Sequence, residues 1–268
     1  MPESLFVRIG LGLFVLCGVG GLLPHRAQVW RRLAINALLP GAIVLTAMGL
    51  ATRWWTSGQG PFLTLYEILL SNLFSLGLIF WLAVRLATAA REGAPFVLAL
   101  LALLAFWTWF LPTEVTPLPP TFGNPWLWVH VLSGKLFLGT YLVATGLAIR
   151  LLMRRMGRRA QGEENPAPGA LDREIWKFAA LAFVFESMML VAGAAWAHDA
   201  WGRYWAWDPL ETSAFITWFA LAILLHARLA VRMNPPTQWT LVCVVFVLAF
   251  LTFFGVPFLS LAPHKGIV

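Results

Sequence analysis

Residues 239–261 read WTLVCVVFVLAFLTFFGVPFLSL, 23 residues without an Asp, Glu, Lys or Arg. Wound as an α-helix at about 1.5 Å per residue, the run reaches roughly 35 Å. That exceeds the hydrocarbon core of a bilayer, about 30 Å thick. The rest of the chain repeats the theme. Of 268 residues, 60% are hydrophobic and only 12% charged, and the mean hydropathy is +0.76. A soluble domain is excluded on those values. No separate soluble domain fits between the apolar runs.

Working outward from the last run, hydropathy places eight spans: 5–23, 33–51, 64–87, 95–111, 127–152, 176–198, 211–232 and 239–261. The expected fold class is therefore all-α, a polytopic membrane protein of eight transmembrane helices forming one transmembrane domain over 1–268. The loops sort by charge. Arg26, Arg31 and Arg32, then Arg85 and Arg91, then the run from Arg150 to Lys177, then Arg228 and Arg232 occupy one alternating set. The positive-inside rule makes that set cytoplasmic and puts both termini on the outer face. The formal net charge of +7 thus reports orientation, and no nucleic-acid partner is expected. Residues 154–174 form the one long cytoplasmic linker, rich in charge, Gly and Pro. Cys17 and Cys243 lie inside apolar runs without a CxxC pairing and read as small core residues. The first span resembles a signal peptide in length, but its basic cluster follows the apolar run, so it is expected to be retained.

Between spans six and seven the chain reads HDAWGRYWAWDPLET, 198–212, in the outer-face loop 199–210. Trp201, Tyr204, Trp205 and Trp207 crowd into seven residues. Isolated tryptophans such as Trp54, Trp55, Trp126 and Trp128 read as interfacial anchors. The cluster alternates with Gly202, Arg203, Asp208 and Pro209, the composition of a shaped turn. A porphyrin presents two apolar π faces and anionic propionates, which suits a platform of indoles with an arginine at its edge. Asp208, Pro209 and Glu211 also have the spacing of a helix start: N-cap, first position and third position.

The string WGRYWAWDPLET resembles the WWD signature of haem-handling proteins of cytochrome c biogenesis, most closely the CcsA type, also called ResC. Further similarities are LYE at Leu65 to Glu67, a histidine opening the fifth span, HAR at His226 to Arg228, and a histidine after the last span. The first two spans match only in hydropathy.

Haem iron takes axial ligands from two sides. Topology puts His130 at the outer start of span five and His264 just after span eight, bracketing the tryptophan loop. The resemblance agrees, since family members hold an outer haem between two such histidines. His226 lies fifteen residues beyond Glu211, about 22 Å towards the cytoplasmic side; the resemblance implies an inner haem site there. The second inner ligand would come from a CcsB or ResB type membrane partner. His198 is expected to make a polar contact, and His25 to be a surface residue. Arg203 and Lys265 are candidates to neutralise propionates. Glu186, about 15 Å deep in its helix, is expected to be protonated or paired and to bond a neighbouring helix. Arg53 can satisfy Glu67, and Lys135 can snorkel outward.

These expectations combine into one function: haem b is carried to the outer face of a bacterial plasma membrane and presented for thioether attachment to CxxCH motifs of apocytochrome c. The chain would be the CcsA half of a holocytochrome c synthase active only with its partner, and a thioredoxin-like thiol reductant is a further expected partner. It offers no catalytic acid or nucleophile of its own, so its part is orientation and ligation. Two readings compete: a haem exporter or chaperone without synthetase activity, and a haem b electron-transfer subunit, which needs four histidine ligands within spans where only His226 is clearly placed.

Overall fold

A computed structural model describes residues 2–23, 28–60, 63–161 and 169–256. The described residues are helical apart from short connections. In chain order the α-helices are α1 (Pro2–Leu22), α2 (Gln28–Leu33), α3 (Leu39–Ser57), α4 (Leu65–Leu86), α5 (Ala94–Trp109), α6 (Pro125–Ala160), α7 (Ala170–Trp201), α8 (Pro209–Ala230) and α9 (Pro235–Phe254). Among the described residues, eight helical stretches are long and apolar enough to cross a membrane, α2 and α3 counting as one stretch over Val29–Ser57.

That second stretch is continuous because a π-helical turn, Ala34–Leu38, joins α2 to α3. The amide of Leu39 donates to the Ala34 carbonyl, five residues back. Pro40 follows at once; its ring needs room against the preceding turn, and widening that turn supplies it.

The fifth and sixth stretches run beyond their expected ends. α6 continues to Ala160 and α7 begins at Ala170, so the expected linker 154–174 narrows to the residues between them. Arg154, Arg155 and Arg158 are good helix formers, which favours the continuation of α6. The α7 helix likewise takes in His198 to Trp201, so the tryptophan loop is shorter than 199–210.

The chain divides into two compact units, Met1–Leu118 and Pro119–Val268. In the first, α1 packs between α3 and α5. Small residues let the backbones approach: a Cβ on Gly18 would stand 2.3 Å from the Ala102 Cβ, and one on Gly49 would stand 2.5 Å from Val7 Cγ2. One end of this unit is gathered by the Arg53 guanidinium, which is 2% exposed. It donates to Glu67 Oε1 at 2.8 Å, to Glu3 Oε1 at 3.0 Å, and to the carbonyls of Thr113 and Glu114 at 3.0 Å each. The expected pairing of Arg53 with Glu67 is therefore present. Glu67 also closes a capping box with Thr64 at the start of α4. Gln59 completes this end by donating to the Thr116 carbonyl and accepting from the Leu118 amide.

In the second unit α6 and α7 run antiparallel, with α9 against α6 and α8 against α9 and α7. At one end Asn124 Nδ2 donates to Asp199 Oδ2 at 2.8 Å. At the other, buried Asp172 accepts from Arg228 Nη2 at 2.9 Å and from Trp239 Nε1 at 2.7 Å. Between them Tyr141 donates to the Val242 carbonyl at 3.1 Å, and the hydroxyls of Thr217 and Thr252 meet at 3.2 Å.

Glu186 departs from expectation. It is fully buried, yet neither carboxyl oxygen has a hydrogen-bond partner among the described residues. No hydrogen bond from it to a neighbouring helix is present among the described residues. Cys17 is buried and Cys243 half-buried, both as free thiols. Lys135 is half-buried on α6.

Candidate functional site

The loop between α7 and α8 takes its shape from its two ends. Gly202 closes α7 in the left-handed conformation, φ 74°, and its amide donates to the His198 carbonyl. A side chain would be strained there, so glycine suits the position. At the other end the Asp208 carboxylate accepts from the amides of Leu210 at 2.8 Å and Glu211 at 2.9 Å, with Pro209 at the first helical position. Glu211 reaches back to the Ala206 amide at 2.6 Å. Asp208 is thus the N-cap of α8, with its Oδ1 engaged by the helix amides. Trp207, between these ends, has φ 58° and is the one non-glycine residue with positive φ among the described residues.

Beside this loop lies a partly open pocket with a cavity volume of about 200 Å³. Its walls come from α6 through His130, α7 through Met189, Gly193 and Trp196, the loop through Tyr204 and Trp205, and α8 through Glu211. Thr252 and Phe253 of α9 complete it. The lining is almost wholly apolar and aromatic, with His130 and Glu211 as its ionisable groups.

His130 is held in place from α7. Its Nδ1 lies 2.9 Å from the Met189 carbonyl oxygen. A carbonyl only accepts, so Nδ1 is the donor and carries the ring proton, which leaves Nε2 as the lone-pair nitrogen. The ring stacks on Trp196, centroids 6.4 Å apart and planes 22° from parallel. Trp196 is itself fixed: its Nε1 donates to the Thr121 carbonyl at 2.9 Å, and Phe122 and Trp201 pack edge-on against it.

The expected tryptophan platform therefore divides. Trp201 turns towards Trp196. Trp205, Trp207 and Phe215 form an edge-to-face trio with centroids 5.6 to 6.2 Å apart. Of the loop residues singled out from sequence, Tyr204 and Trp205 line the pocket. Gly202, Arg203, Trp207 and Asp208 do not, and Arg203 is exposed. His198 stacks on Tyr204 with ring centroids 4.3 Å apart, and its Nδ1 lies 3.6 Å from Asp199 Oδ1.

His226 lies elsewhere. It is exposed on α8, two residues from Arg228 at the Asp172 end, with Nδ1 2.8 Å from the Ala222 carbonyl. His264, Lys265 and His25 lie outside the described residues.

Trp196 was missed by sequence reasoning. A single tryptophan in the string GAAWAH reads as ordinary helix packing. The available signal was the spacing of Met189, Gly193 and Trp196 at i, i+4 and i+7, one face of α7.

A porphyrin fits what this pocket offers: a histidine with one nitrogen engaged by a carbonyl, flat aromatic walls and few charges.

Comparison with known proteins agrees with that chemistry. Residues 36–264 match the family model described as "Cytochrome C assembly protein", a match that takes in His130, the loop and His264 in the sequence. The chain is 29% identical to "Cytochrome c biogenesis protein CcsA" of Chlamydomonas reinhardtii, over 92% of this chain and 73% of that one. It is 28% identical to the same protein of Porphyra purpurea, over 92% and 94%, and 30% identical to that of Synechococcus elongatus, over 81% and 82%. The structure of "Cytochrome c Heme Lyase CcmF" superposes with a TM-score of 0.76 at 18% identity, covering 95% of this chain and 47% of that one. That likeness concerns the fold, and the chain spans about half the length of CcmF. A multi-pass helical chain with this match over most of its length belongs to the cytochrome c assembly protein family, as a member of the CcsA type.

Proposed function

We propose that the pocket beside His130 receives haem b at the outer face of the membrane and presents it to apocytochrome c. The observation that carries this reading is the setting of His130: Nδ1 donates to a helix carbonyl, the ring is stacked on Trp196, and the residue lines a partly open aromatic pocket. His130 and His264 are the two axial ligands in this reading, the second following from its position after α9 in the sequence. Trp196, Tyr204 and Trp205 pack against the macrocycle faces, while Gly202 and Asp208 shape the loop. Arg203 and Lys265 are the residues that would neutralise the propionates in this reading.

When bound, the haem supplies the reactive vinyl groups: each adds the S–H of a CxxCH cysteine across its C=C bond, the sulfur to one carbon and the proton to the other. The chain's own contribution is to hold the iron, fix the plane and exclude water. Orientation follows from the charge pattern, with both termini outside and the arginine-rich ends of α6 and α8 in the cytoplasm of a bacterium.

His226 belongs to a separate inner site in this reading. An exposed imidazole on an otherwise apolar helix face is costly in lipid, and Phe219 and Ile223, exposed on the same face, make it a surface for a membrane partner. That partner is of the CcsB or ResB type and supplies the second inner ligand. A thioredoxin-like protein would keep the acceptor cysteines reduced.

The test is replacement of His130 and His264 by Ala, singly and together, in a host without its own cytochrome c assembly proteins that is supplied with this chain and a CcsB or ResB type partner. Loss of the bound-haem spectrum and of covalent c-type cytochrome is the expected result. Retention of both in the double variant rejects the reading.

A further inference from the structure

We infer that Gly193 is a positioning residue for His130, because its missing side chain opens the Met189 carbonyl to the imidazole and so fixes which ring nitrogen is left to ligate. The inference rests on the proposed role of His130 as a haem ligand.

The geometry is tight. A Cβ built on Gly193 would stand 2.7 Å from His130 Nδ1, 3.0 Å from Cε1 and 3.6 Å from Cγ. The first of those is far inside van der Waals contact, and what it meets is a ring and not the end of a flexible chain. The ring has little room to yield, being backed by Trp196 at 6.4 Å between centroids. Trp196 is held in turn by its bond to the Thr121 carbonyl.

The same absence explains the hydrogen bond. In an α-helix the Met189 oxygen already takes the amide of residue 193, and it has a second lone pair. In a membrane helix that second site is ordinarily covered by the side chain four residues on. With glycine at 193 the carbonyl faces α6, and His130 Nδ1 reaches it at 2.9 Å. A carbonyl cannot donate, so the bond selects the tautomer with the proton on Nδ1. It also fixes the ring plane and raises the donor strength of Nε2, as outer partners of metal-bound histidines do. The electron pair that iron would take is thus set by a backbone atom of α7, and Gly193 is the residue that permits it.

The experiment uses the full-length chain in detergent, titrated with ferrous haem b, comparing the native protein with Gly193→Ala and His130→Ala, each with and without added imidazole. The optical spectrum reports the axial ligands. Gly193→Ala is expected to weaken haem binding about 10- to 100-fold and to be restored by imidazole, as His130→Ala is. Native binding in Gly193→Ala overturns the inference, and so does a loss that imidazole does not restore. If His130→Ala itself binds haem natively, the proposed function fails first. A measurement on the native chain stands whatever the variant's folding: with ¹⁵N-labelled histidine and His130→Ala to assign the signal, His130 is expected as the Nδ1–H tautomer. An Nε2–H signal overturns the inference.

Discussion

Asp208 and Glu211 cap the start of α8 reciprocally: the Asp208 carboxylate accepts the Glu211 amide at 2.9 Å, and the Glu211 carboxylate accepts the Ala206 amide at 2.6 Å. Asp208 is therefore spent on the helix. Asp208→Ala is expected to cost about 1 kcal/mol and to weaken haem retention by loosening the loop. Asp208→Asn keeps the acceptor and should keep both properties near native. Thermal unfolding in detergent and the haem spectrum read the two variants together; an Asn variant as damaged as the Ala one would point to a role for the charge itself.

Trp207 invites a comparison of two truncations. At φ 58° the left-handed well costs a residue with a Cβ about 1–2 kcal/mol and costs glycine almost nothing. Trp207→Gly should therefore unfold at a higher temperature than Trp207→Ala, although glycine removes more atoms. The opposite order would mean that the backbone at 207 relaxes once the indole is gone.

The Arg53 cluster predicts a large loss. Arg53→Ala leaves Glu67 buried and uncompensated, and breaking such a pair from one side costs about 3–5 kcal/mol. The variant should be recovered poorly and melt well below native, and Arg53→Ala with Glu67→Gln should recover part of the difference. Equal melting of the native chain and Arg53→Ala would contradict the burial of this pair.

Contact between α1 and α5 is open to a repair experiment. Gly18→Ala places a methyl 2.3 Å from the Ala102 Cβ and is expected to destabilise by about 1–3 kcal/mol through overpacking. Adding Ala102→Gly removes the nearest atom and should return part of the loss. Additive effects of the two changes, measured by unfolding, would show that these residues do not touch.

The eight crossings were legible because an uninterrupted apolar run has few other uses. The Asp208 cap was legible too, since Asp, Pro and Glu at that spacing have a purely local meaning. Helix ends were harder. Arg154 to Arg158 read as the start of a connector, yet arginine prolongs a helix as readily as it leaves one. The candidate site was half legible. His130, Tyr204 and Trp205 announced themselves by residue type and topology. Trp196 and Gly193 did not, because their part depends on which face of α7 meets α6. The same holds for Glu186, whose partners could be judged only after the surrounding side chains were in place. Arg203 was grouped with the platform by adjacency, and it is exposed and outside the pocket lining.

The two left-handed residues of the short loop, Gly202 and Trp207, have a kinetic consequence. The segment they bracket is fixed by its own pivots and by the cap at Asp208, so an arriving ligand need not freeze a wandering chain. Little ordering entropy is then charged to binding. In the proposed role the orientation of the bound ligand is then set by the fold, and a given affinity needs fewer contacts.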